Sequence, residues 1–156
     1  MWVTEYGLLL NEERHPVLVK ERSTAYDASG KISCQDDVIR ILKVCFRADE
    51  RAEEYMFLLT VNNRNELTAV FNVAHGQADS CHVSTRDIFS RALAAGATGI
   101  FIAHNHPSGD PSPSEADSAF TWKVKEAGEL IGIPLIDSLV IGRNGAYYSF
   151  NASGLL

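Results

Sequence analysis

The spacing of apolar residues along the chain predicts three helices and six strands. In the helical segments apolar residues recur every three or four positions, and Asp36 and Asp37 begin the first of them, where the helix dipole favours negative charge. In chain order, the prediction is a short strand at 17–19, a helix around 38–45, a charged turn or short helix at 47–54, strands at 55–61 and 67–74, a helix capped by Thr85 and ended by Gly96, a buried strand at 99–103, a helix at 115–130, and strands at 135–141 and 146–150.

Strands and helices mixed in this way predict one α/β domain, with a mixed β-sheet sandwiched by helices. Residues 1–32 carry the weakest pattern and are predicted to form an N-terminal extension, whereas residues 33–156 are predicted to form the domain. The length of 156 residues is that of a single domain.

Composition and charge narrow the class of protein. Hydrophobic residues make up 46% of the chain and charged residues 22%, which is typical of a globular protein and not of a disordered one. The net charge of −6 argues against sequence-independent DNA binding, because phosphate contacts need a basic surface. No apolar run approaches the roughly 20 residues of a membrane helix, and no signal peptide is evident. Three cysteines without a CxxC pair favour a reducing cytoplasm.

One segment carries a candidate for chemistry. His104 and His106 leave a predicted buried strand two positions apart, so both imidazoles point to the same side. Asp117 follows after a proline-rich loop, in the predicted first turn of the third helix. Two imidazoles and one carboxylate with a fourth position open are typical of catalytic zinc sites. The sequence therefore predicts a zinc site at His104, His106 and Asp117.

Two structural or functional alternatives apply to the same residues. Ser114-x-x-Asp117 is also the pattern of a capping box at the start of a helix, and that role is compatible with metal binding. The string His104-Asn105-His106 spells HNH. It is weak evidence for an HNH nuclease, because those enzymes distribute the signature over a ββα unit.

The spacing also matches a known family motif. His-x-His, seven residues, Ser, two residues, Asp is the JAMM (MPN+) metalloprotease motif, and the strings HNHPSGDPSPS, KEAGELIGIPLID and YYSF resemble its RadC-like branch. The resemblance covers roughly residues 33–156. It implies a JAMM-type fold, a Zn²⁺ ion held by His104, His106 and Asp117, and a Ser114 hydroxyl that stabilises the oxyanion of the tetrahedral intermediate.

The general base departs from this resemblance. Active JAMM enzymes use an upstream glutamate to take a proton from the attacking water. In similar RadC-like sequences this glutamate falls in a stretch resembling V-F-E-V-S-x-G, and Asn72 stands at the matching position here. An amide cannot accept a proton at neutral pH. Glu66 and Asp79 are the nearest other acids in the sequence.

Strand alternation sets a further expectation for this stretch. It places Thr68, Val70, Asn72 and Ala74 on one face of the strand, so that Asn72 is expected to face the metal. A second departure is Ser138, which follows Asp137 where many relatives carry histidine.

Three functions remain as hypotheses at this stage. The leading one is a zinc-dependent hydrolase that acts on a peptide or protein substrate of unknown identity, cleaving peptide or isopeptide bonds. The second is a catalytically impaired zinc-binding interaction module, as Asn72 suggests. The third is a role in DNA repair or mobile-element DNA metabolism, which the resemblance motivates and the net charge opposes. DNA is not expected as a direct partner, no membrane is expected, and the oligomeric state stays open.

Overall fold

One mixed sheet forms the centre of the molecule. The computed structural model describes residues 1–76 and 83–156, and these form seven strands in the spatial order β2-β1-β4-β3-β5-β6-β7. The elements are β1 Trp2–Leu10, β2 Pro16–Ala25, α1 Gln35–Phe46, a 3₁₀ turn Ala48–Glu50, β3 Glu54–Val61, β4 Leu67–Gly76, α2 Thr85–Ala94, β5 Gly99–Asn105, α3 Glu115–Ile131, β6 Leu135–Ile141 and β7 Tyr147–Ser149.

The sheet contains both parallel and antiparallel strand pairs. Strand β3 is antiparallel to β4 and β5, and β5 is parallel to β6. Helix α1 covers one side, here called the α1 face, while α2 and α3 cover the other, here called the α3 face. This confirms the predicted mixed sheet between helices. None of the helices in the described ranges has the length and apolar character of a membrane span.

The two cores follow the period-2 alternation of the central strands. On β3, Phe57 and Leu59 are buried on the α1 face, whereas Met56 and Leu58 are buried on the α3 face. Strand β5 repeats the pattern, since Ala103 lies on the α1 face and Ile102 on the α3 face. Because both faces of β3 and β5 are buried, apolar and polar residues do not alternate along these strands.

Helix boundaries agree with the sequence prediction to within a few residues, with one correction at α2. The predicted cap Thr85 is the first helical residue, and Ser84 is the N-cap. The Asp87 amide donates to Ser84 Oγ at 3.2 Å, and the Ser84 amide donates to the Asp87 carboxylate at 2.9 Å. Ser84 and Asp87, three residues apart, therefore form a capping box.

The N-terminal residues form more regular structure than their pattern predicts. Strands β1 and β2 make a long antiparallel hairpin, of which the sequence predicted three residues. The hairpin joins the sheet where Glu5 pairs with Val70 of β4. Strand β2 lies at the edge of the sheet and is largely exposed. Its sequence therefore lacks the alternation of apolar and polar residues that would have predicted the full strand.

A β-bulge interrupts β4 beside the middle of the sheet. Phe57 pairs with Asn72, but the next residue towards the N-terminus of β3, Met56, pairs with Ala74. Val73 is the extra residue, and it packs on the α3 face. The bulge therefore moves Ala74 to the face of Met56, so the prediction that Asn72 and Ala74 share a face is wrong.

Helix α3 approaches the segment before β6 too closely for a side chain at Gly128. A Cβ there would lie 2.6 Å from the Ile133 carbonyl oxygen and 3.3 Å from the Leu135 amide nitrogen, both of them backbone atoms. We expect Gly128→Ala to lower the free energy of unfolding by about 1–3 kcal/mol, the usual range for overpacking. Urea unfolding measures this. Glu129→Ala, at the exposed next position, is the control and should change little. Equal stability of the two variants would show that α3 can move away from the sheet.

Candidate metal centre

The end of β5 presents both histidines towards α3. Met56, the residue opposite His104 on β3, is buried on the α3 face, and paired residues point to the same side of a sheet. His104 is 3% exposed. Beyond it the chain follows β6, since the His106 amide donates to the Ile141 carbonyl at 2.9 Å. Strand spacing of two therefore brings both rings to one point, and their Nε2 atoms are 3.1 Å apart.

The loop after His106 fixes the orientation of its ring. His106 Nδ1 lies 2.8 Å from the Asp110 carbonyl oxygen, which can only accept a hydrogen bond. Nδ1 therefore carries the proton, and the lone pair of Nε2 is left for a metal ion. The turn after β6 supports this loop, because Arg143 donates to the Ser108 carbonyl at 2.8 Å through its side chain and to the Gly109 carbonyl at 3.1 Å through its amide.

Asp117 enters the site from the first turn of α3 and also caps that helix. Its Oδ2 accepts hydrogen bonds from the Ser114 amide and the Ser114 hydroxyl, both at 2.7 Å. Its own amide donates to Ser114 Oγ at 3.1 Å. The capping box that the sequence suggested is thus present, and it orients the carboxylate towards the histidines.

The three side chains lie at separations that suit a metal ion. His104 Nε2 is 3.1 Å from Asp117 Oδ1, and His106 Nε2 is 3.4 Å from Asp117 Oδ2. Zinc–ligand bonds of about 2.0–2.1 Å in a tetrahedron place neighbouring ligand atoms about 3.3 Å apart. The two imidazoles and the carboxylate therefore fit the predicted zinc ion in donor type and in spacing, and they leave a fourth position to another ligand.

The electrostatics of the site favour an ionised carboxylate. Burial by itself would raise the pKa of Asp117, but the neighbouring His104 and the hydrogen bonds from Ser114 outweigh it and hold the pKa well below its usual range. A metal ion that binds here does not have to displace a proton from Asp117 near neutral pH.

Ser138 supports the same helix one turn further on. Its hydroxyl lies 2.9 Å from the hydroxyl of Thr121, and both residues are buried between α3 and β6. Thr121 is four residues after Asp117, on the same side of the helix. The departure from histidine at Ser138 thus places a small hydroxyl pair between α3 and the sheet.

The structure does not bring Asn72 to the histidines. Asn72 pairs with Phe57, which in turn pairs with Ala103, and both of these are buried on the α1 face. Its Oδ1 is buried and accepts no hydrogen bond from the described residues. Because paired residues share a face, Asn72 lies on the side of the sheet opposite to His104.

Glu66, one of the two alternative acids, lies far from the histidines. Glu66 lies in the β3–β4 turn, where it accepts a hydrogen bond from the Asn62 amide group. That turn adjoins Gly99, five residues before His104 on β5, which corresponds to about 17 Å along a strand. Asp79 lies outside the described residues.

Glu54 is the acidic residue that the sequence analysis missed. Met56 is opposite His104, and the Tyr55 amide donates to Asn105 Oδ1 at 2.8 Å. Glu54 lies two residues before Met56 on β3, so it is on the same face as Met56. Extended by two residues beyond the last pair, the antiparallel register would set Glu54 opposite His106. The sequence did contain one indication, since Glu54 lies two residues before Met56 and residues two apart on a strand share a face. It was missed because Glu54 ends a charged stretch that is typical of a solvated turn.

Comparison with known proteins identifies the family to which the chain belongs. The family model of the RadC-like JAB domain matches residues 32–155. A UPF0758 protein from Carboxydothermus hydrogenoformans is 41% identical over 120 residues, which are 77% of this chain and 52% of the relative. UPF0758 proteins from Thermotoga maritima and Geobacter sulfurreducens are 32% and 35% identical, over 78% and 82% of this chain and 54% and 55% of their own lengths. The chain thus spans about half the length of these relatives, whose names state no activity.

We expect the purified protein to bind about one zinc ion per chain, and His106→Ala to lose most of that affinity, because His106 is one of the three candidate ligands among the described residues. Zinc should stabilise the native protein by about 4 kcal/mol when its free concentration is 1,000 times Kd. Metal analysis and thermal unfolding with and without zinc measure both effects. His15→Ala, at an exposed histidine, is the control. Stoichiometric zinc in the His104→Ala/His106→Ala variant would disprove the site.

The capping boxes of α2 and α3 allow the two roles of Ser114 to be separated. Ser114→Ala and Ser84→Ala should each cost about 0.5–2 kcal/mol of stability, since each removes an N-cap. Only Ser114→Ala should also weaken zinc binding, by roughly 10-fold, because its hydroxyl orients a ligand. Urea unfolding and competition with a chromophoric chelator measure the two effects. Unchanged zinc affinity in Ser114→Ala would show that Ser114 only caps the helix and does not orient the ligand.

Proposed function

Because this chain belongs to the RadC-like JAB-domain family, we propose that it is a zinc-dependent hydrolase that cleaves peptide or isopeptide bonds. One observation carries the proposal. Two imidazoles and a carboxylate lie within 4.8 Å of one another. The pairing of Met56 with His104 supports a place for Glu54, two residues before Met56, at the same end and on the same face of the sheet.

The ligand set suits hydrolysis better than a structural role. Structural zinc sites are usually closed by a fourth protein ligand, frequently cysteine, and the described cysteines, Cys34 and Cys45, are not part of the cluster. When bound, zinc acts as a Lewis acid towards a substrate carbonyl and lowers the pKa of water at the site to about 7.

We assign the general base to Glu54. Residues directly opposite each other in an antiparallel pair have Cα atoms about 4.5–5.5 Å apart, so the carboxylate of Glu54 starts one strand away from His106. In the proposed reaction Glu54 accepts a proton from the attacking water and passes it to the leaving amine. Positioned proton transfer of this kind contributes typically 10²–10⁴-fold to the rate.

Ser114 is proposed to stabilise the oxyanion that forms during attack on the carbonyl. Its hydroxyl donates to Asp117 Oδ2 in this structure, so the role requires the hydroxyl to rotate from Asp117 towards the substrate. In this proposal the serine orients Asp117 before the reaction and stabilises the developing oxyanion during it.

The substrate is proposed to be a peptide or protein. DNA is not proposed as a direct partner, since the net charge of −6 opposes phosphate binding. The alternative of an impaired zinc-binding module rested on Asn72 at the general-base position. The register of β4 removes that support, because Asn72 lies on the α1 face.

Two adjacent glutamates provide a matched test of the general base. Glu54→Gln should lower kcat by about 10²–10⁴-fold and leave the zinc content unchanged. Glu53→Gln should keep near wild-type activity, because the Glu53 carboxylate is 57% exposed and lies 3.6 Å from His75, whose backbone pairs with Tyr55. Cleavage is measured by mass spectrometry on a peptide library and on isopeptide-linked peptides, with chelator and zinc re-addition.

Asn72→Ala completes this experiment. It should leave cleavage unchanged, because the side chain lies on the face away from the histidines. Loss of activity in Asn72→Ala with full activity in Glu54→Gln would reverse the assignment. Absence of chelator-sensitive cleavage by the wild type on all of these substrates would contradict the proposed function itself.

A further inference from the structure

Asn105 stands between the two histidines and has its side chain on the other side of the strand. It is 2% exposed. Its Oδ1 accepts a hydrogen bond from the Tyr55 amide at 2.8 Å, and its Nδ2 donates to the Glu53 carbonyl oxygen at 3.0 Å. The side chain thus forms hydrogen bonds with the backbone of Glu53 and Tyr55, the residues on either side of Glu54.

This contact occurs where the backbone ladder between β3 and β5 ends. The paired residues of the two strands run from Val61 with Gly99 to Met56 with His104. After His104 the backbone of β5 stays with β6, where Asn105 pairs with Ile141. The amide group of Asn105 supplies the donor and the acceptor that a further backbone rung would supply, so it prolongs the register by the residues that carry Glu54.

We propose that Asn105 is a positioning residue that holds Glu54 in register with the histidine ligands. The inference rests on the proposed role of Glu54 as the general base. The histidines have other supports, since β6 holds the His106 amide and the Asp110 carbonyl holds its ring. Asn105 therefore acts on the placement of Glu54 more than on the ligands.

The chemistry of the amide group explains why this position needs asparagine. A peptide N–H can only donate and a peptide carbonyl can only accept, so one side chain must offer both an acceptor and a donor. Aspartate keeps the acceptor for Tyr55 but sets a carboxylate oxygen against the carbonyl of Glu53. Alanine leaves both backbone groups without their partner.

The test compares Asn105→Asp with a matched variant at the other end of β3. Asn62 also binds backbone amides through its side chain, but within the β3–β4 turn, where its Oδ1 accepts from the amides of Arg64 and Glu66. In Asn105→Asp the Tyr55 amide keeps an acceptor, but repulsion between the carboxylate and the Glu53 carbonyl should move the start of β3 away from Asn105. Hydrogen exchange at the Tyr55 amide should then become faster by about tenfold, the equivalent of one hydrogen bond, while zinc affinity stays close to that of the wild type. In Asn62→Asp the exchange at Tyr55 should not change. Asn105→Ala, if it folds, should give the larger effect.

Kinetics then connect the clamp to Glu54. Asn105→Asp should lower kcat by roughly 10²-fold with little change in KM, the loss that a displacement of about 1 Å can cause. In the Glu54→Gln background the same substitution should cost almost nothing further. An equal loss in both backgrounds, or unchanged exchange at Tyr55, would overturn the proposal.

The two proposals can fail separately. Absence of cleavage by the wild type would reject the hydrolase function, and hydrogen exchange and zinc affinity would still decide whether Asn105 fixes the start of β3. Faster exchange at Tyr55 with zinc affinity retained would support the clamp. A zinc affinity that falls 10-fold or more would show instead that Asn105 acts on the histidine ligands.

Discussion

The antiparallel register of β3 and β5 is the constraint on which the candidate site depends. It pairs Met56 with His104, and from this one pairing follow the face on which the histidines lie and the position of Glu54. A shift of one residue would turn every side chain of β3 to the other face. The register is well specified because both faces of β3 are buried, and because Asn105 continues it beyond the last backbone pair.

The third ligand depends on a second constraint, the placement of α3 against the sheet. Gly128 allows the helix to approach the segment before β6, and Thr121 meets Ser138 one turn after Asp117. At the start of the helix the capping box with Ser114 orients the carboxylate. The residue that completes the candidate metal cluster is thus also part of the helix terminus, so binding of a metal ion there would be coupled to helix stability.

The candidate ligands are held in place by residues near them in the sequence and by residues far from them. The loop after His106 supplies a carbonyl to its ring, and the turn at Arg143 holds that loop from the end of β6. Hydrogen bonds from Ser114 and the proximity of His104 keep Asp117 ionised in a half-buried position. These features suit a preorganised metal site, in which the ligands need little rearrangement when an ion binds.

The sequence alone determined the elements of the central domain, the metal-ligand cluster and the family resemblance. These depend on short spacings, namely i and i+2 on a strand and a serine three residues before Asp117, which local geometry converts directly into position. Glu54, the proposed general base, could not be found in this way. The apolar pattern of β4 does not show which face of the sheet Asn72 occupies, because only its pairing with Phe57 places it on the α1 face. Glu54 lies about 50 residues before the histidines, and only strand pairing, a contact between distant segments, decides which residue of β3 lies opposite His106.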